Sequence, residues 1–263
     1  MAELTISDLL EAGVHFGHQT DRWNPRMRPF IFEARNGIHV IDVTQTQQKI
    51  QEAVDFLRGL LSEGKEILFV GTKKQAKEVI REAAEKCHMH CVTERWLGGT
   101  LTNLRTIRKS VGRLKEIERM QNDPSFGKLG KKEAASLRRE AARLHRNLDG
   151  ILRMERLPQA LFVVDIVHEK NAVAEARRLN IPIVALVDTD ADPTLVTHPI
   201  PANDDGMRAV KAVVAHFGEE IQEARMRFER LHPQQIAGDE ASAEKTEPPK
   251  DAGTEVDLEA VGD

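Results

Sequence analysis

The chain is 263 residues long, which allows one large domain or two small ones at about 150 residues per domain. Its 40% hydrophobic content can form a core, and its two cysteines cannot build a disulfide framework. No apolar run approaches the roughly 18 residues of a membrane span, and the first residues lack a signal-peptide pattern. We therefore exclude wholly disordered, disulfide-stapled and integral membrane proteins, and we expect a cytoplasmic location without a membrane partner.

The net charge of −4 hides a strong segregation of charge along the chain. Residues 232–263 contain nine acidic and two basic residues, a net charge of −7, with three prolines and no aromatic residue. This composition predicts a disordered acidic tail, because it cannot bury enough apolar surface to offset its ordering entropy. By contrast, Arg105–Arg156 contains fifteen basic and seven acidic residues, a net charge of +8. Such an excess predicts a polyanionic partner, with a solvated surface that binds nothing as the alternative.

Outside that basic stretch, the hydrophobic pattern alternates between strands and helices. Short runs that are apolar or alternate in polarity are typical of strands, and wholly apolar runs of buried parallel strands. The strands predicted in this way are Ile38–Asp42, Ile67–Val70, Leu161–Asp165 and Ile183–Asp188, and the helices include Lys73–Lys86 and one that begins at Asp204. The predicted fold class is α/β, a parallel sheet flanked by helices in a three-layer, flavodoxin-like or Rossmann-like arrangement.

Residues 103–156 interrupt this alternation with two helical patterns. Apolar residues recur three or four positions apart in each pattern, as in the seams of a coiled coil. They are Leu104, Ile107, Val111 and Leu114 in the first, and Leu137, Ala141, Leu144 and Leu148 in the second. We predict an inserted antiparallel helical hairpin over 103–156, joined by a turn at Asn122–Gly127. The remaining regions are an N-terminal basic loop region over 1–35, an α/β domain over 36–102 and 157–231, and the tail.

An enzyme is one hypothesis for the parallel sheet. Ligands of open parallel sheets bind outside the carboxyl ends of the strands. These ends are predicted to carry Asp42, Gly71–Lys74, Asp165 and Asp188. A glycine, a hydroxyl and two lysines before a helix can bind phosphate, so a phosphate-ligand enzyme would use Lys73 and the aspartates. The spacing matches neither the P-loop nor the G-x-G-x-x-G pattern, and a phosphate of RNA fits the same residues equally well.

Two groups of residues contain metal-ligand types. Carboxylates of the later loops can hold a divalent ion together with a histidine. The weak candidates are His18, His39, Asp188, Asp204 and Asp205. Capping of helices and turns explains these aspartates as well, and no spacing matches a known metal motif. Zinc at Cys87–Cys91 would need a second pair of ligands, and alternate residues of a strand there would instead pack inward. We expect no resident cofactor, and the binding of a divalent ion is left as an alternative.

Two loops carry the residue types that suit RNA. Arg22–Phe30 combines three arginines with Trp23, which can stack on an exposed base or instead pin the loop to the core. Arg95–Asn103 combines Gly98-Gly99 with hydroxyl and amide donors and leads into the basic stretch; the glycine pair is alternatively only a hinge. The residues predicted to face RNA are Arg22, Trp23, Asn24, Arg26, Arg28, Lys73, Lys74, Arg95, Trp96, Gly98, Gly99, Thr102, Asn103, Arg105, Arg108 and Lys109.

Several stretches of the chain resemble one known family. They are Gly13–His18, Trp23–Met27, Phe69–Lys73, Arg95–Asn103, Leu157–Asp165, Ile181–Thr189 and Ile200–Asp205. In this order, over roughly residues 4–230, they are similar to the small-ribosomal-subunit protein two family in its bacterial form. Ala202 stands where that family usually has glycine. Several separate motifs in the right order are far more specific than any single pattern.

The resemblance implies a non-enzymatic structural protein of the small ribosomal subunit, with a parallel α/β domain and a protruding helical hairpin. It implies binding of small-subunit ribosomal RNA near the junction of head and body, and contacts with neighbouring ribosomal proteins. It further implies docking of ribosomal protein one, the large messenger-RNA-binding protein, for messenger RNA recruitment in translation. The protein would then be cytoplasmic and ribosome-bound, and its basic loops would face the RNA.

Overall fold

A computed structural model describes residues 4–123, 126 and 130–232 of the chain. The helices are α1 (Ile6–Glu11), α2 (Val43–Ser62), α3 (Lys74–Lys86), α4 (Leu104–Asn122), α5 (Lys131–Leu148), α6 (Lys170–Arg178) and α7 (Met207–Leu231). The strands are β1 (Phe16–Gln19), β2 (Ile31–Arg35), β3 (Ile38–Ile41), β4 (Ile67–Val70), β5 (His90–Val92), β6 (Ala160–Val164), β7 (Ile183–Val187) and β8 (His198–Pro201). Short 3-10 helices cover Pro25–Phe30, Asp149–Ile151 and Pro193–Leu195. Beyond His232, the predicted acidic tail lies outside the described residues.

A parallel sheet with the strand order β5-β4-β6-β7-β8 forms the centre of the fold. Every residue of β4, β6 and β7 is buried, because helices cover both faces of the sheet. On one face, the ring of Phe162 lies 5.3 Å from that of Phe69 and 4.9 Å from that of Phe217 on α7. This arrangement confirms the predicted α/β fold class, a parallel sheet flanked by helices.

The edge strand β8 is absent from the sequence prediction. Two of its four residues are proline, which cannot donate to a sheet ladder and therefore argues against a central strand. Among the described strands, β8 pairs only with β7, from Val184 opposite His198 to Val187 opposite Pro201. Proline is tolerated at such an edge, so β8 can form although its sequence does not have the pattern of a strand.

The prediction for Ile38–Asp42 is right about the strand and wrong about its sheet. β3 pairs antiparallel with β1 and β2 in a separate sheet of order β1-β3-β2. Asn36 and Gly37, with φ of 52° and 77°, form the turn between β2 and β3, and an Asn-Gly pair is a strong hairpin signal. Asp42 therefore does not follow a strand of the parallel sheet; it caps α2 by accepting a hydrogen bond from the Thr44 N–H at 3.0 Å.

Two further boundaries differ from the prediction. Cys87–Cys91 is not one strand: Cys87 caps the C-terminus of α3, His88 has a φ of 53°, and β5 begins afterwards. Both thiols are buried as expected, and burial raises the pKa of Cys87 to about 12 and that of Cys91 to about 11. The last helix, α7, begins at Met207 rather than at Asp204, because the Asn203 side chain accepts two backbone N–H groups and closes a turn there.

The inserted helices α4 and α5 pack against each other and against the sheet. Leu114, Ile117 and Ala141 form a small core between them, and the seam residues Ile107 and Leu148 join the core on one face of the sheet. The predicted seam is therefore the buried side of the two helices. The coiled-coil geometry stays a prediction, and most of the turn Asn122–Gly127 lies outside the described residues.

Candidate functional site

The first predicted loop, Pro25–Phe30 with the residues before it, is held by a backbone contact to Thr189, a side-chain cap and a buried side chain. The Asn24 N–H donates to the Thr189 carbonyl at 2.7 Å, and the Asn24 side chain caps the 3-10 helix by accepting from the Arg26 N–H at 3.0 Å. Met27 in the middle of this helix is fully buried. A buried anchor and a cap hold the loop in one conformation, which leaves its charged side chains on the outside.

The arginines of this loop differ in what they contact. Arg26 pairs with Asp192 and donates to the Thr194 hydroxyl at 3.1 Å, so its charge is partly compensated within the protein. Arg22 and Arg28 are exposed. The loop therefore offers two exposed cations and one that also ties it to the turn at Asp192.

Trp23 is half-buried, and its ring lies 5.1 Å from the ring of His39 on β3. His39 is buried, and neither of its ring nitrogens has a hydrogen-bond partner among the described residues. The contact favours the interpretation in which Trp23 pins the loop to the neighbouring sheet. The environment of the His39 ring is therefore the indole of Trp23.

The second predicted loop, residues 96–102, forms a series of turns around one carboxylate, that of Glu175 on α6. One of its oxygens accepts from the Trp96 indole N–H at 3.0 Å and from the Gly99 N–H at 2.7 Å. The other accepts from the Leu101 N–H and from both the N–H and the hydroxyl of Thr102, each at 3.0 Å. Burial raises the pKa of Glu175, but these hydrogen bonds outweigh burial and lower it.

Three of the residues predicted to face RNA are instead bound to Glu175. The side chain of Trp96 is buried, and the polar groups of Trp96, Gly99 and Thr102 named above are directed to Glu175. Sequence reasoning missed Glu175, because a glutamate within a helical pattern carries no signal of its distant partners. The exposed residues around this turn that remain from the prediction are Lys74, Arg95, Gly98, Asn103, Arg105, Arg108 and Lys109.

The hairpin extends this exposed basic surface. Its further exposed lysines and arginines are Lys115, Arg119, Lys131, Lys132, Arg138, Arg139, Arg143, Arg146, Arg153 and Arg156. Arg113 is compensated by Glu116 at 2.8 Å and Glu140 at 3.3 Å. The excess of positive charge predicted from the sequence therefore lies on side chains that solvent reaches.

Lys73, at the carboxyl edge of the parallel sheet, lies in a cluster of carboxylates. Its Nζ is 3.0 Å from Asp165, 2.7 Å from Asp204 and 2.6 Å from Asp205, and its side chain is only 17% exposed. Burial lowers the pKa of Lys73, but the carboxylates outweigh burial and hold it above its ordinary value. A lysine compensated in this way has little attraction left for a phosphate, which weakens both the enzyme hypothesis and its role as an RNA contact.

His18 completes the same cluster. Its ring nitrogens lie 3.1 Å from Asp188, 3.8 Å from Asp190 and 3.5 Å from Asp205. The interaction with Asp188 raises the pKa of His18 to about 9. In the same region, burial first and the neighbouring carboxylates second raise the pKa of Asp204 to about 8. The cluster therefore pairs two cations with a larger number of carboxylates, and the excess of carboxylates contributes to the raised pKa of Asp204.

The structure brings four of the five weak metal candidates into this cluster, namely His18, Asp188, Asp204 and Asp205, whereas His39 contacts Trp23. Within the part of the chain that the structure describes, no group of three or more His, Cys, Asp or Glu side chains has an arrangement that could hold a metal ion. The cations of this cluster are supplied by the protein itself.

A comparison with known proteins decides which kind of protein this is. The family model of ribosomal protein S2 matches residues 9–224. The chain belongs to the ribosomal protein S2 family. The match covers both loops, the parallel sheet and the hairpin. Membership of the S2 family makes the chain a structural protein of the small ribosomal subunit, a component of a ribonucleoprotein that acts in translation.

Proteins of the S2 family are typically structural and non-enzymatic. In this chain Lys73, which a phosphate-ligand enzyme would need, is occupied by carboxylates.

No helix within the described ranges has the length and apolar character that a membrane crossing requires.

Proposed function

We propose that this chain binds small-subunit ribosomal RNA near the junction of head and body, as a ribosome-bound protein of the cytoplasm. The observation that carries the proposal is the set of exposed cations on the two loops and the hairpin. Their partners would be phosphates, because exposed guanidinium and ammonium groups bind phosphate well and carry little information about sequence. The residues proposed to contact RNA are Arg22, Arg28, Lys74, Arg95, Arg105, Arg108 and Lys109.

Sedimentation of a cell lysate at moderate and at high salt tests this proposal. Phosphate contacts release counterions, so affinity falls steeply as salt rises. We expect the chain to sediment with small subunits at moderate salt and to be released at high salt. A chain that stays in the soluble fraction under both conditions, while small subunits remain intact, would contradict the proposal.

A pair of charge reversals locates the interface. Arg105 is exposed at the start of α4, whereas Arg227 is exposed near the end of α7, a helix that packs on the other face of the parallel sheet. We expect Arg105→Glu to reduce incorporation into the small subunit and Arg227→Glu to leave it unchanged, with both variants folded by circular dichroism. Equal incorporation of the two variants would show that the surface is wrongly chosen.

We infer further that the sheet β1-β3-β2 docks ribosomal protein one. Phe32 is 72% exposed and Phe16 is 51% exposed, and Ile38 lies on the same face of the sheet as Phe16. Exposed aromatic and aliphatic side chains suit a protein partner better than a phosphate backbone.

Small subunits that carry Phe32→Ala test this docking surface. We expect them to assemble normally and to retain less ribosomal protein one after purification. Leu179→Ala is the matched control, because Leu179 is also exposed but lies at the end of α6. Full retention of ribosomal protein one on the Phe32→Ala subunits would remove this surface from the proposal.

A further inference from the structure

The main chain of the turn 96–102 is hydrogen-bonded to one carboxylate, that of Glu175. Five hydrogen bonds from the turn reach the Glu175 carboxylate. Three of the donors are the backbone N–H groups of Gly99, Leu101 and Thr102. Backbone N–H groups held by one carboxylate fix the path of the main chain, so Glu175 sets the course of the chain immediately before α4.

Glu175 is itself held on a rigid element. Its helix, α6, buries Ala172, Val173 and Ala176 in the core on one face of the parallel sheet. The position of the carboxylate is therefore defined by the sheet, and the turn inherits that position through its hydrogen bonds.

The start of α4 packs Leu104 and Ile107 against the core on one face of the sheet, but its polar support is limited. The side chain of its N-cap residue, Asn103, accepts from the Thr106 hydroxyl at 2.9 Å and from no backbone N–H of the helix. The Asn103 N–H instead donates at 2.8 Å to the carbonyl of Gly99, whose φ of 89° suits glycine and whose own N–H is bound to Glu175. The orientation of the first turn of α4 thus depends on the conformation that Glu175 maintains.

We propose that Glu175 is a positioning residue of the RNA interface, which holds the turn 96–102 so that the hairpin leaves the sheet in one direction with Arg105 and Arg108 already arranged for the phosphates. The inference rests on the function proposed above. A preformed basic surface binds its partner without ordering its own chain first, which increases affinity although no further group binds. Glu175 acts only through the turn and touches no RNA.

The most informative variant is Glu175→Gln, which keeps the size of the side chain and replaces one carboxylate oxygen by an amide NH₂. That group would face N–H donors, so at least one of the two sets of hydrogen bonds cannot form. Glu66→Gln is the matched control. Glu66 is also a partly buried glutamate, 3.3 Å from His90, but it lies at the start of β4, at the opposite edge of the sheet.

Amide hydrogen exchange measures the first half of the proposal. We expect the amides of Gly99, Leu101 and Thr102 to lose protection in Glu175→Gln, while those of β4 and β6 keep it. Glu66→Gln should leave the three turn amides protected. Unchanged protection of these amides in Glu175→Gln would overturn the proposal, because the turn would then hold its conformation without the carboxylate.

Rebinding to small subunits depleted of this chain measures the second half, over a range of salt concentrations. We expect Glu175→Gln to bind roughly tenfold more weakly, after correction for the folded fraction. The slope of log affinity against log salt should also become shallower by about 0.9 for each phosphate that the variant no longer neutralises. A residue that merely stabilises the fold would change the folded fraction and leave this slope unaltered.

The outcomes separate this inference from the proposed function. If the wild-type chain itself shows no salt-dependent binding, the proposed function fails and the positioning role fails with it. If the wild type binds and Glu175→Gln binds equally well with the same slope, only the positioning role is overturned. Should Glu175→Gln fail to fold, Glu175→Asp takes its place, because it retains both oxygens one methylene further back. We expect a smaller loss of affinity with a correspondingly smaller change of slope, and wild-type affinity and slope in Glu175→Asp would overturn the positioning role.

Discussion

The positive charges of this protein occur in two contrasting regions. At the carboxyl edge of the parallel sheet, Lys73 and His18 are surrounded by carboxylates of the same chain. On the hairpin, cations such as Arg105 and Arg108 are exposed to solvent. Residue type alone does not distinguish the two regions, since both contain basic side chains. What distinguishes them is whether the fold supplies the counter-charge, and this determines which region is available to a polyanion.

The largest effect should come from removing the compensated cation. Lys73→Met removes the cation that contacts both buried carboxylates, Asp165 and Asp204, so we expect the free energy of unfolding to fall by about 3–5 kcal/mol. Urea denaturation at pH 7 measures this loss. Adding Asp204→Asn to Lys73→Met should recover part of it, and a loss below about 1 kcal/mol would contradict the role assigned to Lys73.

An intermediate effect should come from titrating the same cluster. The pKa of His18 is raised to about 9, above its ordinary value of 6.5. Its stabilising contribution is therefore complete below pH 6.5 and is lost as the pH rises through 9. We expect the free energy of unfolding to fall by about 1–3 kcal/mol over this interval.

Urea denaturation at several pH values checks this expectation. His18→Gln should reduce the dependence between pH 6.5 and 9 and leave the part that belongs to Asp204, whose pKa of about 8 lies in the same interval, whereas His168→Gln, at an exposed position, should preserve the full dependence. Stability that increases with pH over this interval, or an unchanged dependence in His18→Gln, would break the picture of a compensated cluster.

The smallest effect on stability should come from the exposed region. Arg108→Met removes one positive charge, as Lys73→Met does, but we expect the free energy of unfolding to change by less than about 0.5 kcal/mol. Its effect should appear in binding: the salt dependence of association with depleted small subunits should weaken by about 0.9 in slope. A loss of stability comparable with that of Lys73→Met would erase the contrast between the two regions.

The sequence predicted the elements whose burial is complete along their length. The apolar runs of β4, β6 and β7 indicated a buried parallel sheet, because no other environment accepts such strands. The antiparallel sheet was missed although Asn36-Gly37 signalled its hairpin, since pairing partners are not encoded in one strand's pattern. The edge strand β8 was concealed by its prolines.

Contacts between residues that are distant in sequence could not be predicted for the candidate site. The exposure of Arg105 and Arg108 followed from the helical pattern of the hairpin, in which apolar residues occupy the inner side. The engagement of Lys73 by Asp204 and Asp205, and of Trp96 by Glu175, joins residues that are 79 or more positions apart in the chain. Composition and periodicity are local properties, so they could identify these residues but not their partners.

The hairpin is inserted between two strands that must meet for the sheet to form. β4 pairs with β6, from Ile67 opposite Ala160, so the chain between them closes a loop that contains both α4 and α5. Loop-closure entropy grows only with the logarithm of loop length, by about 0.6 kcal/mol for each doubling. A hairpin lengthened or shortened at its far end, with Ile107 and Leu148 still in the core, would therefore change the stability of the sheet very little. The α/β domain can carry hairpins of different length while its folding free energy stays almost constant.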